Sequence, residues 1–222
     1  MNKKRFNDSR LPYVVIEPDE FNPDNEYPIF VMMHGYGSHM DDLVPLAEVI
    51  DRDKYLYVFP NAPIKLEMGF GMSGYAWSNP PDSEFDANGF SEGLVEELLI
   101  EIGQQYKISD GNNFIGGFSQ GGMMAYRYGL RRPQQFSGVV ALSSRLTESD
   151  IPLDNAENKE ILPRVFISHG TTDTIIPIHA GRQSHDILKK NGYQSEYREY
   201  SMDHQITEYV LNDLKDWLKI PI

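Results

Sequence analysis

The chain has 222 residues, enough for one well-buried core, and an ordinary globular composition. Its formal net charge of −13 argues against nucleic acid and anionic membranes as partners, because an acidic surface repels phosphates. A strongly anionic substrate is also disfavoured unless a local basic patch overrides the overall field. The absence of cysteine excludes a disulfide framework, a thiolate nucleophile and a cysteine-based zinc site.

The basic start, Met1-Asn2-Lys3-Lys4-Arg5-Phe6, is followed by Asn7, Asp8, Ser9 and Arg10, where a signal peptide needs an apolar run. No stretch has the length of a membrane span, so stable membrane insertion is not expected and a cytoplasmic location is the default. Residues 13–16 and 29–33 read as strands, and 40–50 as a helix. Residues 55–59 form the next strand candidate. Segment 64–90 is rich in Gly, Pro, Met and aromatics, too long for a simple connection, and so dense in glycine that neither helix nor strand is expected around 68–74. A helix follows over 90–106, with an apolar stripe at Leu94, Val95, Leu98, Leu99 and Ile102. Strands at 113–117, 138–143, 165–168 and 195–200 then alternate with helices at 120–130, 180–191 and 205–218. Residues 147–159 read as a polar surface insertion. Several strands are continuously apolar, as strands covered on both faces should be. The alternation predicts a single α/β domain over residues 1–222, with a mostly parallel central sheet flanked by helices.

Gly117-Phe118-Ser119-Gln120-Gly121 has the spacing Gly-x-Ser-x-Gly. The spacing alone is weak evidence, but a buried strand precedes it and a helical pattern begins directly after. A serine on that sharp turn is held in a strained backbone, with its hydroxyl projecting over the sheet edge and a helix N-terminus beneath it. Partners are expected in the chain order serine, acid, histidine. Asp173 follows the strand at 165–168, and His204 follows the strand at 195–200, so each sits at a carboxyl end, where this architecture assembles sites. The hydroxyl becomes a nucleophile when an imidazole accepts its proton, and a carboxylate fixes the imidazole tautomer. Asp150 or Asp154 is the runner-up for the acid. His169 reads as a structural donor and His34 as a buried brace. No His-Glu-x-x-His or similar spacing occurs, so no metal site is expected. The turn His34-Gly35-Tyr36-Gly37 can aim backbone N–H groups at a developing oxyanion, with the N–H of Gln120 as the second donor.

With these motifs the chain resembles the phospholipase/carboxylesterase family of the α/β-hydrolase fold, which includes bacterial carboxylesterases and acyl-protein thioesterases. The matching residues are His34-Gly35-Tyr36-Gly37, Pro60-Asn61-Ala62-Pro63, Trp77, Gly116 to Gly122, Gly138 to Ser143, His169 to Pro177, and His204. The resemblance implies a triad of Ser119, Asp173 and His204, with oxyanion N–H groups from Tyr36 and Gln120. It implies a minimal cap and hydrolysis of short- to medium-chain acyl esters without a cofactor, the partner being a small-molecule ester; a homodimer is compatible with the sequence. Acyl-protein thioesterase or lysophospholipase chemistry would use the same triad, and a non-catalytic hydrolase-fold binding protein is the remote alternative. Two departures stand out. Asp203 precedes His204 where the family has glycine, and a second carboxylate there favours imidazolium. The loop 64–74 is also unlike the family's, and in it Met68, Phe70 and Met72, with Trp77 nearby, are candidates for an acyl pocket. Packing on the core is the competing reading, above all for Trp77.

Overall fold

A computed structural model describes residues 1–69, 71–79, 87–152 and 162–220. The apolar runs become the centre of an eight-stranded sheet. Strands β3 (Ile29–Met33), β7 (Phe114–Phe118) and β8 (Gly138–Leu142) lie side by side and parallel. Toward one edge follow β4 (Leu56–Pro60), parallel to β3, then β2 (Tyr13–Glu17) and β1 (Asn2–Phe6), both antiparallel. Toward the other follow β9 (Arg164–Gly170) and β10 (Ser195–Tyr200), both parallel.

Side chains alternate across this sheet as strand geometry requires. Val31 and Met33 enter one core layer, under α2 (Ala87–Gln105), α3 (Gln120–Gly129) and α4 (Ile178–Lys190). Phe30 and Met32 enter the other, under α1 (Leu46–Ile50) and α5 (Glu208–Lys219). The chain leaves β3 toward β4 but leaves β7 toward β8. The strand order therefore reverses between β3 and β7, and the crevice at their carboxyl ends is where an open α/β sheet binds ligands.

Two expectations are corrected, and one strand appears that no sequence pattern announced. The helix expected over 40–50 shrinks to Leu46–Ile50, because Pro45, lacking an N–H, stands at its start and turns occupy the preceding residues. Strand β1 has no apolar pattern to announce it; its charged residues are exposed, as suits an edge strand, and it is held by its ladder with β2 and by a Lys4–Glu17 ion pair. The glycine-rich segment contains a hairpin, β5 (Ile64–Glu67) paired antiparallel with β6 (Ser73–Ala76). Gly69 and Gly71 take φ values of 83° and 75°, the left-handed region that a tight reversal needs. The glycines make the turn rather than abolish the strands.

Candidate active site

The elbow is built by close approach. Ser119 sits between β7 and α3 with φ 54° and ψ −118°, a conformation a non-glycine residue adopts only when its surroundings impose it. A Cβ on Gly117 would lie 2.4 Å from the carbonyl carbon of Gly121, and one on Gly121 would lie 2.0 Å from the Met33 oxygen. Glycine at both positions is thus a steric requirement of bringing α3 against β3 and β7. The backbone of Ser119 is fully engaged: its N–H donates to Leu142 O at 2.9 Å, and its carbonyl accepts from Gly122 N, Met123 N and Ser144 Oγ. Gln120 opens α3, where helix geometry leaves its N–H without an intrahelical acceptor.

Met33 pairs with Gly117, so the loop after β3 emerges beside the elbow. A Cβ on Gly35 would lie 3.4 Å from Ser119 Cβ, and Tyr36 lines the crevice next to Ser119. His34 is 1 % exposed. Its Nδ1–H donates to Gly35 O at 2.7 Å and its Nε2 accepts from Ala62 N at 3.0 Å, which fixes a neutral tautomer. Burial pushes its pKa down from 6.5 to about 4. The brace expected from the sequence is therefore an uncharged one.

Asp173 and His204 meet across the ends of β9 and β10. His204 Nδ1 lies 2.8 Å from Asp173 Oδ2, and the backbone N–H groups of Ile175 and Ile176 donate to Asp173 Oδ1 at 3.0 and 2.8 Å. With Nδ1 donating to the carboxylate, Nε2 is left as the acceptor nitrogen. The imidazole packs against the ring of Phe118, the residue before Ser119, at a centroid distance of 4.7 Å. His169 is buried and its Nε2 donates to Ile176 O at 2.7 Å, in line with a structural donor. Asp150, the runner-up acid, is engaged elsewhere: it binds Arg127 Nε at 3.0 Å and the N–H and hydroxyl of Thr147. Asp154 lies outside the described residues.

Asp203 is bonded to the backbone and to a hydroxyl, and makes no hydrogen bond to the imidazole ring. Its Oδ1 accepts from Thr174 N and His204 N, both at 2.8 Å, and from the Thr174 hydroxyl at 3.0 Å. These bonds, that to Thr174 N first, hold its pKa below the usual carboxylate value. The side chain ties the acid loop to the base loop.

Of the acyl-pocket candidates, Met68, Met72 and Trp77 do not line the groove beside Ser119, and Trp77 follows its competing reading as a core residue. Trp77 is fully buried; its Nε1–H donates to His34 O at 2.9 Å, and its backbone N–H donates to the Gln120 side chain at 2.7 Å. It braces the loop after β3 and the first residue of α3, and it does not line the groove beside Ser119. Met68 lies against Gly37, and Met72 is 62 % exposed. Neither lines the crevice, and Phe70 lies outside the described residues. Their hairpin instead holds the loop after β3, with Gly37 N donating to Tyr75 O and Tyr75 N to Ser38 O, each at 2.9 Å. A Cβ on Gly74 would lie 2.2 Å from Gly37 O.

The crevice itself is a groove of about 670 Å³ running from Ser119 to the start of α4. Its lining includes Met123, Arg145, Ile175 and Gln183. Sequence reading did not single these out, although Arg145 and Ile175 follow the carboxyl ends of β8 and β9, the end where sites form. Among the described residues no cluster of metal-ligating side chains occurs, and no helix is long and apolar enough to cross a membrane.

The chain is similar to acyl-protein thioesterase 1 of Kluyveromyces lactis, at 33% identity over 210 residues, covering 86% of this chain and 90% of that protein. The carboxylesterase of Mesorhizobium loti superposes with a TM-score of 0.78 at 18% identity, covering 100% of both chains. The Bacillus cereus carboxylesterase does so with 0.76 at 20% identity, over 95% of this chain and 94% of that one. The family model described as Phospholipase/Carboxylesterase matches residues 14–222. The chain belongs to that family of α/β-hydrolase serine hydrolases.

Proposed function

We propose that this single-domain chain is a cytoplasmic serine carboxylesterase acting through an acyl-enzyme on Ser119. The observation that carries the reading is the 2.8 Å bond between Asp173 and His204 Nδ1, which leaves Nε2 free to serve the elbow serine. Ser119 Oγ attacks the ester carbonyl as His204 Nε2 takes its proton. The N–H groups of Tyr36 and Gln120 stabilise the tetrahedral oxyanion. Collapse of that intermediate breaks the bond to the alcohol oxygen, which leaves with the proton from His204. Water, deprotonated by His204, then cleaves the Ser119 acyl ester and releases the acid. No cofactor takes part in any step. A thioester substrate follows the same path with a thiol as leaving group, and the name of the Kluyveromyces lactis relative favours it as the second reading. The exposed apolar side chains of Tyr36 and Ile175 on the groove agree with an acyl chain as occupant.

A fluorophosphonate probe should label the wild-type chain at one residue, Ser119, and Ser119→Ala should abolish labelling. Full labelling of the alanine variant would overturn the assignment. Rates across p-nitrophenyl esters of increasing length, with a long-chain acyl thioester beside them, separate the two substrate readings.

A further inference from the structure

We propose that Arg145 adapts this groove to esters bearing an anionic oxyacid group, a carboxylate or a phosphate, near the scissile bond. The proposal rests on the reading of Ser119 as nucleophile. Arg145 follows β8 and lines the same groove as Ser119. Among the described residues, its guanidinium makes no hydrogen bond or ion pair. Nearby arginines are all engaged: Arg127 with Asp150, Arg131 with Glu92 and Arg132 with Glu96. Among the described residues the groove also differs in charge from the chain as a whole. The chain has 33 Asp and Glu against 20 Lys and Arg, yet no described acidic residue lines this groove.

The backbone that carries Arg145 is held on both sides. Ser144 Oγ donates to Ser119 O at 2.9 Å, and Leu146 N donates to Ser184 Oγ at 2.8 Å. Thr147 N is fixed to Asp150, which Arg127 neutralises. Only the Arg145 side chain has to be ordered by a ligand, so its own rotamer entropy is the cost and no backbone ordering is added. The start of α4 reinforces the same wall. Pro177 and Ala180 line the groove, and the first turn of this 13-residue helix carries no acidic residue and no side-chain cap. Its N-terminal dipole adds to the positive potential. A guanidinium presents a planar fork that matches the two oxygens of a carboxylate or phosphate. A neutral ester makes no use of that fork. In a protein repelling anions overall, this is the local override that an anionic substrate requires.

The test uses matched ester pairs that differ only in charge. On the acyl side, the p-nitrophenyl monoester of glutarate is compared with its methyl ester. On the leaving-group side, the butyrate ester of 4-hydroxybenzoate is compared with that of methyl 4-hydroxybenzoate. Glycerol monobutyrate with and without a phosphate separates phosphate from carboxylate. The charged-to-neutral ratio of kcat/KM is compared between proteins, so intrinsic ester reactivity cancels. Arg145→Gln should lower kcat/KM for the charged member of at least one pair on the order of 10-fold, and leave the neutral member within about 2-fold. Arg145→Glu should lower it further, and added salt should shrink the wild-type preference. If the variants change both members of every pair equally, or neither, Arg145 is a solvated surface residue and the proposal falls. A wild-type chain that cleaves no ester, charged or neutral, overturns this proposal, and if a fluorophosphonate also fails to label Ser119 the Ser119 reading falls with it.

Discussion

The two halves of the site are held together by different physics. Around Ser119 and the loop proposed to form the oxyanion hole, the geometry comes from backbone packed too closely for any side chain, at Gly117 and Gly121, and from the buried, neutral His34 and Trp77. Around Asp173 and His204 it comes from carboxylates that accept backbone N–H groups and an imidazole, with Asp203 exposed to water. A hydrolase of this kind needs a rigid, uncharged cradle where charge develops, and an ionisable pair where protons move. The contrast implies that perturbing the buried supports of the first half, His34 and Trp77, changes folding, whereas perturbing the second half changes catalysis and its pH dependence.

The sharpest test of that division is Asp173→Asn. The amide is nearly isosteric and can keep both backbone bonds to its oxygen, but its NH2 then faces Nδ1 and favours the wrong imidazole tautomer. Turnover should fall on the order of 10⁴-fold. The melting temperature should change little, since the side chain stays packed and hydrogen-bonded. A variant that melts far below the wild type while keeping most of its turnover per folded molecule would erase the distinction between the halves.

The cradle makes the opposite prediction. Burial lowers the His34 pKa from 6.5 to about 4, so in that interval the unfolded chain binds a proton that the folded chain does not. Stability linked to His34 is complete above about pH 6.5 and is lost progressively as the pH falls toward 4. The shift corresponds to about 3 kcal/mol at the low end. His34→Gln should lower stability at pH 7 by about 1–3 kcal/mol through the disturbed bonds to Gly35 O and Ala62 N. It should also flatten the decline between pH 6.5 and 4, measured by denaturant melts across that range. An unchanged slope would mean that His34 is not the group that titrates.

The parts of the molecule legible in the sequence are those whose cause is local. The apolar runs at β3, β7 and β8 announce themselves because both faces of those strands are covered. Ser119, Asp173 and His204 stand out because each follows its own strand in a fixed order. What escaped was decided by distant partners. β1 is a strand because β2 is there to pair with it, and the hairpin at Ile64–Ala76 is ordered by Gly37 and Ser38, far away in the chain. The place of Trp77 depends on His34, 43 residues before it, and no period or spacing reports that. Arg145 is one charge on a loop until the structure shows which groove it lines.

Asp203 gives the smallest and most discriminating prediction, because two mechanisms compete for it. From sequence, its carboxylate should act on the imidazole through charge and favour imidazolium. In the structure it binds Thr174 and the His204 backbone, so its effect should be positional. Asp203→Asn should therefore reduce kcat by about 10-fold or less, since His204 is only slightly misplaced, and leave the acid limb of the kcat/KM pH profile where it was. The side chain is exposed, so any loss of melting temperature at pH 7 should be slight. That loss has a definite sign with pH. The folded-state pKa lies below 3.8, so the contribution of Asp203 is fully present above the unfolded value and fades as the pH falls through the folded one. Wild type and variant should thus converge in stability at acid pH. If the acid limb instead moves to lower pH in the variant, the carboxylate acts on the imidazole directly, and the clamp between the two loops is secondary.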